Sequence, residues 1–262
     1  MQNLGGISDE PASKGWVNYT LKKRNVLVSA VKARLRRVSH KYGIAVPTTV
    51  AHALELDKAN GNDFWSKAIT KEMTNVGIAF EILETDQSLP VGYSKATGHL
   101  IFDVKMDFTR KARWVLDGHK CEKPDISSYA GVVSRESIRI ALTYAALNGV
   151  DVFAADIQNA YLQAPTSVKH YIICGREFGL EHEGKRALIV RALYGGKTAG
   201  RDFRNHLRDC MDTLNFKPCL ADPDVWMRPS CKDGGEEYYE YVLLHTDDAL
   251  APKPCHLMSR RH

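Results

Sequence analysis

An α+β fold is predicted for this chain, from three observations. Stretches with helical periodicity alternate with short apolar runs that read as strands, and two of those runs end in aspartate, at Asp156 and at the pair Asp247–Asp248. These acidic strand ends lie far apart in sequence, so a sheet of non-consecutive strands is needed to bring them together. There are no internal repeats and no low-complexity tracts. With 262 residues and 44% apolar content, the chain can bury one large core or two small ones.

The N-terminal 1–19 segment, rich in Gly, Ser and Asn, reads as a frayed lead-in. A helix is predicted from about Leu21 to Tyr42, with Val28, Val31, Leu35 and Val38 on one stripe and a stop at Gly43 and Pro47. A second helix covers Val50 to Ala59. A third follows Asn60-Gly61-Asn62, with Asn62 as its cap and Trp65, Ala68, Ile69, Met73 and Val76 on a core-facing stripe.

From Ala79 to Trp114 apolar runs broken by Pro90, Gly92 and Gly98 read as strands and hairpins. Ser134 caps another helix, on which Ile138, Ala141, Leu142 and Ala145 repeat until Asn148-Gly149 ends it. The strand ending at Asp156 comes next. Strands near Tyr171–Cys174 and Ala187–Val190, a helix from Gly200 to Leu214 and a hairpin from Tyr238 to Leu250 complete the pattern.

Composition excludes several classes. No apolar stretch approaches the roughly 18 residues of a membrane span, and the first residues do not open a signal peptide, so no membrane partner is expected. The six cysteines form no Cys-x-x-Cys pair and read as reduced thiols of a cytosolic or nuclear compartment. The net charge of +5 is local, because eight Lys/Arg and no acid fall between Thr20 and Gly43 while the rest of the chain is net negative. That block can track phosphates or form a solvated helix face. Gly196-Lys197-Thr198 lacks the upstream glycine of a P-loop, where Arg191 stands, and His182-Glu183 has no second histidine at metalloprotease spacing. No Gly-x-Ser-x-Gly is present, and no histidine pair sits at zinc-finger spacing with cysteines.

The aspartates carry the chemistry. A carboxylate pair between apolar strands is costly through repulsion and desolvation unless protons or a cation neutralise it, and a divalent metal is the expected neutraliser. With Asp156 on a neighbouring strand end, three carboxylates could meet at one point, as nucleotidyl transfer requires. Taken alone, the pair could equally be a solvated hairpin tip.

Several blocks in a shared order resemble the reverse transcriptase domain of copia-type long-terminal-repeat retrotransposons, over about Pro47 to Leu250. Trp65, Ala68 and Glu72 resemble its N-terminal helix. Lys105 with Arg110-Lys111-Ala112-Arg113 resembles its basic fingers hairpin, and Ser137-Ile138-Arg139 the helix before the first catalytic strand. Asp156-Ile-Gln-Asn-Ala-Tyr161 resembles the first catalytic motif, Ala192-Leu-Tyr-Gly-Gly-Lys197 the nucleotide-pocket motif, and Thr246-Asp247-Asp248 the second catalytic motif.

The resemblance implies a polymerase palm and fingers, without thumb or RNase H, acting as an RNA-directed DNA polymerase. Its partners would be an RNA or DNA primer–template and deoxynucleoside triphosphates, and the oligomeric state stays open. Magnesium, with manganese as the alternative, would be the cofactor: Asp156 and Asp247 would bridge two ions and Asp248 would support them. Lys105, Lys111 and Arg113 would contact the triphosphate. Tyr161 would exclude a ribonucleotide 2′-hydroxyl by bulk. Tyr194, Gly195 and Lys197 would shape the base and template side of the pocket.

The implied division is a basic helical lead-in at 1–46, a fingers-and-palm domain at 47–250, and a frayed or unrelated tail at 251–262, where Ala251-Pro-Lys-Pro does not read as a continuing strand. The place of action would be the cytoplasm, including virus-like particles, or the nucleus. His245 stands where the family has an aromatic residue, and Gly196, Thr198 and Gly200 replace its Leu, Gln and Pro. The alternative is a noncatalytic truncated remnant with residual nucleic-acid binding.

Overall fold

The computed structural model describes residues 40–231 and 234–253. The predicted helix over Leu21–Tyr42 lies mostly outside these residues, and its last part is different: His40–Lys41 is a short strand, β1, paired with β2 (Ile44–Ala45).

Two helices follow. In α1 (Val50–Asn60) the Thr49 hydroxyl accepts the His52 N–H at 3.1 Å, and Gly61 at φ 61 closes the helix in the left-handed region. In α2 (Phe64–Val76) the capping is not what the sequence suggested. Asn62 accepts only the Phe64 N–H at 3.4 Å, whereas buried Asp57 of α1 accepts from Trp65 N at 3.1 Å and Ser66 N at 2.8 Å. A carboxylate borrowed from the preceding helix thus satisfies the orphan donors and complements the helix dipole.

The strands β3 (Phe80–Ile82), β4 (Ser94–Lys95), β5 (Gly98–Val104) and β6 (Arg110–Leu116) come next. Then come α3 (Arg135–Asn148), capped by Ser134 and ended by Gly149 at φ 58, β7 (Asp151–Asp156) and the single turn α4 (Ala160–Gln163). The chain continues through β8 (His170–Ile173), β9 (Arg186–Ile189), α5 (Ala199–Thr213), β10 (Lys217–Pro218), β11 (Val225–Cys231), β12 (Glu237–His245) and β13 (Asp248–Lys253). β11 is a strand the sequence reading missed, because Pro229 and the polar ends of the segment hide its alternation.

The strands build a five-stranded sheet in the order β10-β11-β12-β13-β7, a four-stranded sheet in the order β3-β9-β8-β4, and the β5–β6 hairpin. The largest core joins α2 to β5, β6, β8 and β9. Trp65, Ile69 and Val76 are buried there as predicted, with Trp114 only 1% exposed and edge-on to Phe80 at 5.1 Å. A smaller core sets Met211 and Phe216 against Trp226 and Leu244 of the five-stranded sheet.

The expectation that the chain stops being a strand after Leu250 does not hold. β13 runs to Lys253, with Pro252 opposite Val152 of β7. Pairing to β12 ends at Leu250, so beyond it β13 has, among the described residues, a neighbour on one side alone and the missing proline N–H disrupts no ladder there.

Candidate active site

The acidic site is set by strand register. Asp156, the last residue of β7, lies directly opposite Asp248, the first residue of β13, so the two side chains share one face of the sheet. Asp247 sits in the two-residue turn between β12 and β13, and its carbonyl accepts the Ile157 N–H at 2.8 Å, tying the turn to the residue after Asp156. Thr246, the other turn residue, is β-branched yet has φ 56. That conformation costs of order 1–3 kcal/mol, and such strain collects at functional sites.

Asp156 and Asp248 are exposed and Asp247 is half-buried. Asp156 and Asp248 border an open cleft of about 540 Å³, where they and His245 stand beside Val133, Ile138 and Leu250. Water therefore meets the charge repulsion that the sequence reading assigned to a cation. Among the described residues no Lys or Arg pairs with any of the three carboxylates, and no three acidic, His or Cys side chains are gathered closely enough to hold an ion as they stand. Oxygen-only donors free of protein cations are nonetheless the chemistry that magnesium takes. Asp156, Asp247 and Asp248 fit that ion as a donor set, and their side chains, hydrogen-bonded to nothing among the described residues, can rotate toward it.

A second cluster forms where the β5–β6 hairpin meets the loop after β9. Lys111 and Arg113 project from one face of β6 while Ala112, Trp114 and Leu116 fill the core from the other. The Arg113 guanidinium lies 3.9 Å from the centroid of the Tyr194 ring, Tyr194 lies 4.7 Å from Tyr161, and Tyr161 lies 6.0 Å from Phe203 on α5. Burial holds the Tyr194 hydroxyl above its ordinary pKa, opposed by Arg113 and reinforced by the charge of Asp247. Asp247 thereby acts electrostatically on this cluster.

Glu72 underlies the cations. Its carboxylate accepts the Trp114 N–H at 2.8 Å, anchoring β6 to α2. Burial raises its pKa, against the Trp114 bond and the charges of Arg113 and Lys111. Lys111 is shifted down by burial, then by the positive charges of Arg113 and Lys105. Lys105 is exposed on the hairpin loop, its N–H bonded to the Thr109 carbonyl at 3.0 Å. The three predicted triphosphate contacts thus form one cationic group, with half-buried Glu72 as a counter-charge whose role the sequence did not reveal.

Gly195 and Lys197 behave differently. Gly195, at φ 83, sits so close to β6 that a Cβ would fall 2.1 Å from the Leu116 carbonyl oxygen, and a Cβ on Gly118 would fall 2.1 Å from Gly195 O. The glycine is thus needed for two protein backbones to touch, and the Leu116 N–H donates to Tyr194 O at 2.8 Å in the same contact. Lys197 points elsewhere. Its ammonium donates to the Cys121 carbonyl at 2.7 Å in a narrow cleft with His170, apart from the Tyr161–Tyr194 pair.

Sequence reasoning also missed the brace behind the Thr246–Asp247 turn. Asp222 accepts from Ser134 N at 2.9 Å and Ser137 Oγ at 2.7 Å, and Asp224 takes two 3.0 Å bonds from Arg204. Burial pushes the Asp222 carboxyl up, but the bonds from Ser137, Ser134 and the Asp224 N–H outweigh it and leave the pKa below the ordinary value. The Leu244 N–H donates to Asp224 O at 3.0 Å, so this brace reaches the strand that leads into Thr246. The spacing Asp222-x-Asp224 was the available signal.

Residues 88–250 match the family described as reverse transcriptase (RNA-dependent DNA polymerase), a span that contains both aspartate motifs, the β5–β6 cations and the Tyr194 loop. Over 196 residues, or 70% of its length, the chain is 26% identical to the retrovirus-related Pol polyprotein from transposon TNT 1-94 of Nicotiana tabacum. It spans 14% of that polyprotein's length, so what the whole polyprotein does is not carried over by the likeness. A match across well over half of the chain, together with aspartates juxtaposed by sheet register, leads to one conclusion: the chain belongs to the reverse transcriptase (RNA-dependent DNA polymerase) family.

Proposed function

We propose that residues 47–250 are the fingers and palm of an RNA-directed DNA polymerase of copia type, extending a primer 3′-hydroxyl with deoxynucleoside triphosphates on an RNA or DNA template. The observation that carries this reading is the β7–β13 register, which sets Asp156 beside Asp248 and bonds the Asp247 turn to Ile157. Magnesium ions, held by Asp156, Asp247 and Asp248, would lower the pKa of the attacking hydroxyl and neutralise charge developing on the phosphates.

The chain's own residues supply the rest. Lys105, Lys111 and Arg113 bind the triphosphate, and the planar Arg113 fork orients it. Tyr161, wedged between Tyr194 and Phe203, presents a fixed ring to the sugar and excludes a 2′-hydroxyl by bulk. Tyr194 supports that ring and, through Gly195, joins the pocket to β6. The basic 1–46 segment adds nonspecific affinity for nucleic acid. Because no three carboxylates are gathered as they stand among the described residues, a second reading is nucleic-acid binding without turnover.

Primer extension with magnesium on an RNA–oligo(dT) template, paired with binding assays over a salt series, tests both. We expect weak, salt-sensitive binding and slow extension that disappears in Asp247→Asn. Salt-sensitive binding with no extension would favour the noncatalytic reading. Absence of both binding and extension would overturn the proposal.

A further inference from the structure

A cavity of about 320 Å³ lies between α5 and the five-stranded sheet, away from the cationic face of β6. Its apolar wall is Phe203 and Leu207 of α5, Trp226 of β11 and Leu244 of β12, and Tyr161 and Thr246 border it on the side of the proposed active site. Its size exceeds the roughly 150 Å³ of a dry packing void and reaches the roughly 300 Å³ at which small-molecule pockets begin.

The polar groups around it are few and unequal. Arg204 is committed to Asp224 through two 3.0 Å bonds. Arg208, on the same helix face, has a half-exposed side chain whose ion-pair contact is a 3.7 Å approach to its neighbour Asp209. Trp226 is 3% exposed and contributes its ring to the wall; its indole Nε1, without a hydrogen-bond partner among the described residues, is buried away from the open space. An apolar enclosure bordered, among the described residues, by Arg208 as its one lightly held cation suits a small ring bearing a single acidic group. A triphosphate, with several negative charges, does not suit it.

We propose that this cavity binds a small aromatic monoanion, its ring between Phe203, Leu207, Trp226 and Leu244 and its acid group on Arg208. The site is separate from the triphosphate cations Lys105, Lys111 and Arg113. An occupant would touch the backs of Tyr161 and Thr246, and so reach the sugar-facing ring and the strained turn together.

The probe is 8-anilinonaphthalene-1-sulfonate, titrated into the full 262-residue chain and read by dye emission. We expect saturable binding to one site, weakened roughly tenfold by Arg208→Glu, a charge reversal that raises dissociation. Val132→Trp, which fills the mouth from a position 42% exposed, should abolish it. Melting temperatures of both variants, expected within a few degrees of the parent chain, verify that the fold is kept; if Val132→Trp fails that check, Arg208→Glu and the milder Arg208→Gln decide. The proposal is overturned if the parent chain shows no saturable binding, if folded Arg208 variants bind as tightly as the parent, or if deoxythymidine triphosphate displaces the dye competitively, which would make the cavity part of the nucleotide pocket.

Discussion

The guanidinium of Arg113 stacks 3.9 Å from the centroid of the Tyr194 ring, so β6 and the loop after β9 meet through a cation and an aromatic face. A cation in this position gains about 0.5–2 kcal/mol from the ring quadrupole. Arg113 therefore rests on Tyr194, and the triphosphate proposed to bind there would have to offer more than the ring does. Charge, planarity and stacking are all placed in one side chain.

Arg113→Lys keeps the charge and discards the planar fork and the stack. Nucleotide affinity, followed by titrating deoxythymidine triphosphate, should fall roughly tenfold, which corresponds to about 1.4 kcal/mol. Thermal stability should fall by about 1 kcal/mol or less. An unchanged affinity would remove Arg113 from the triphosphate contacts.

Tyr161 is held between Tyr194 and Phe203, so its truncation has two effects. Tyr161→Ala should cost about 3 kcal/mol of stability, the scale for losing a packed aromatic ring. It should also narrow the affinity difference between deoxythymidine and ribothymidine triphosphates. Comparing the two affinities in parent and variant gives the answer, and an unaltered ratio would end the steric role.

Gly195→Ala is predicted to be among the most damaging single-methyl additions in the chain. The new Cβ would meet Leu116 O at 2.1 Å, and φ 83 is strained for any L side chain. We expect a loss of at least about 2 kcal/mol, seen as a lower melting temperature, because rigid backbone rather than a flexible side chain must move. A variant as stable as the parent would show that the β6 contact yields.

Asp117 makes acid stability measurable. Hydrogen bonds from Lys120 and Thr97, with His99 nearby, bring its pKa down to about 2 from the ordinary 3.8. A folded pKa below the unfolded one stabilises the fold above about pH 4 and loses that contribution as pH falls through 4 toward 2. Asp117→Asn should flatten the dependence of unfolding free energy on pH in that window while lowering stability at neutral pH. Unchanged acid-limb titration curves would contradict the assignment.

Much of this molecule is written locally. The caps at Thr49 and Ser134, the left-handed stops at Gly61 and Gly149, and the apolar runs ending at Asp156 and before Asp247 each depend on a few consecutive residues, so sequence alone located most helices and strands. The ordered motifs pointed to the family for the same reason. What the sequence could not determine were relations between residues far apart in the chain: Asp57 capping a different helix, Glu72 bonded to Trp114, Gly195 against Gly118, Arg113 on Tyr194, and Lys197 turned to Cys121. Only the tertiary structure decided these, and with them whether the carboxylates face solvent or core. Local conformation is set by steric and hydrogen-bonding preferences within one turn, whereas such contacts exist only once the sheets and helices have packed.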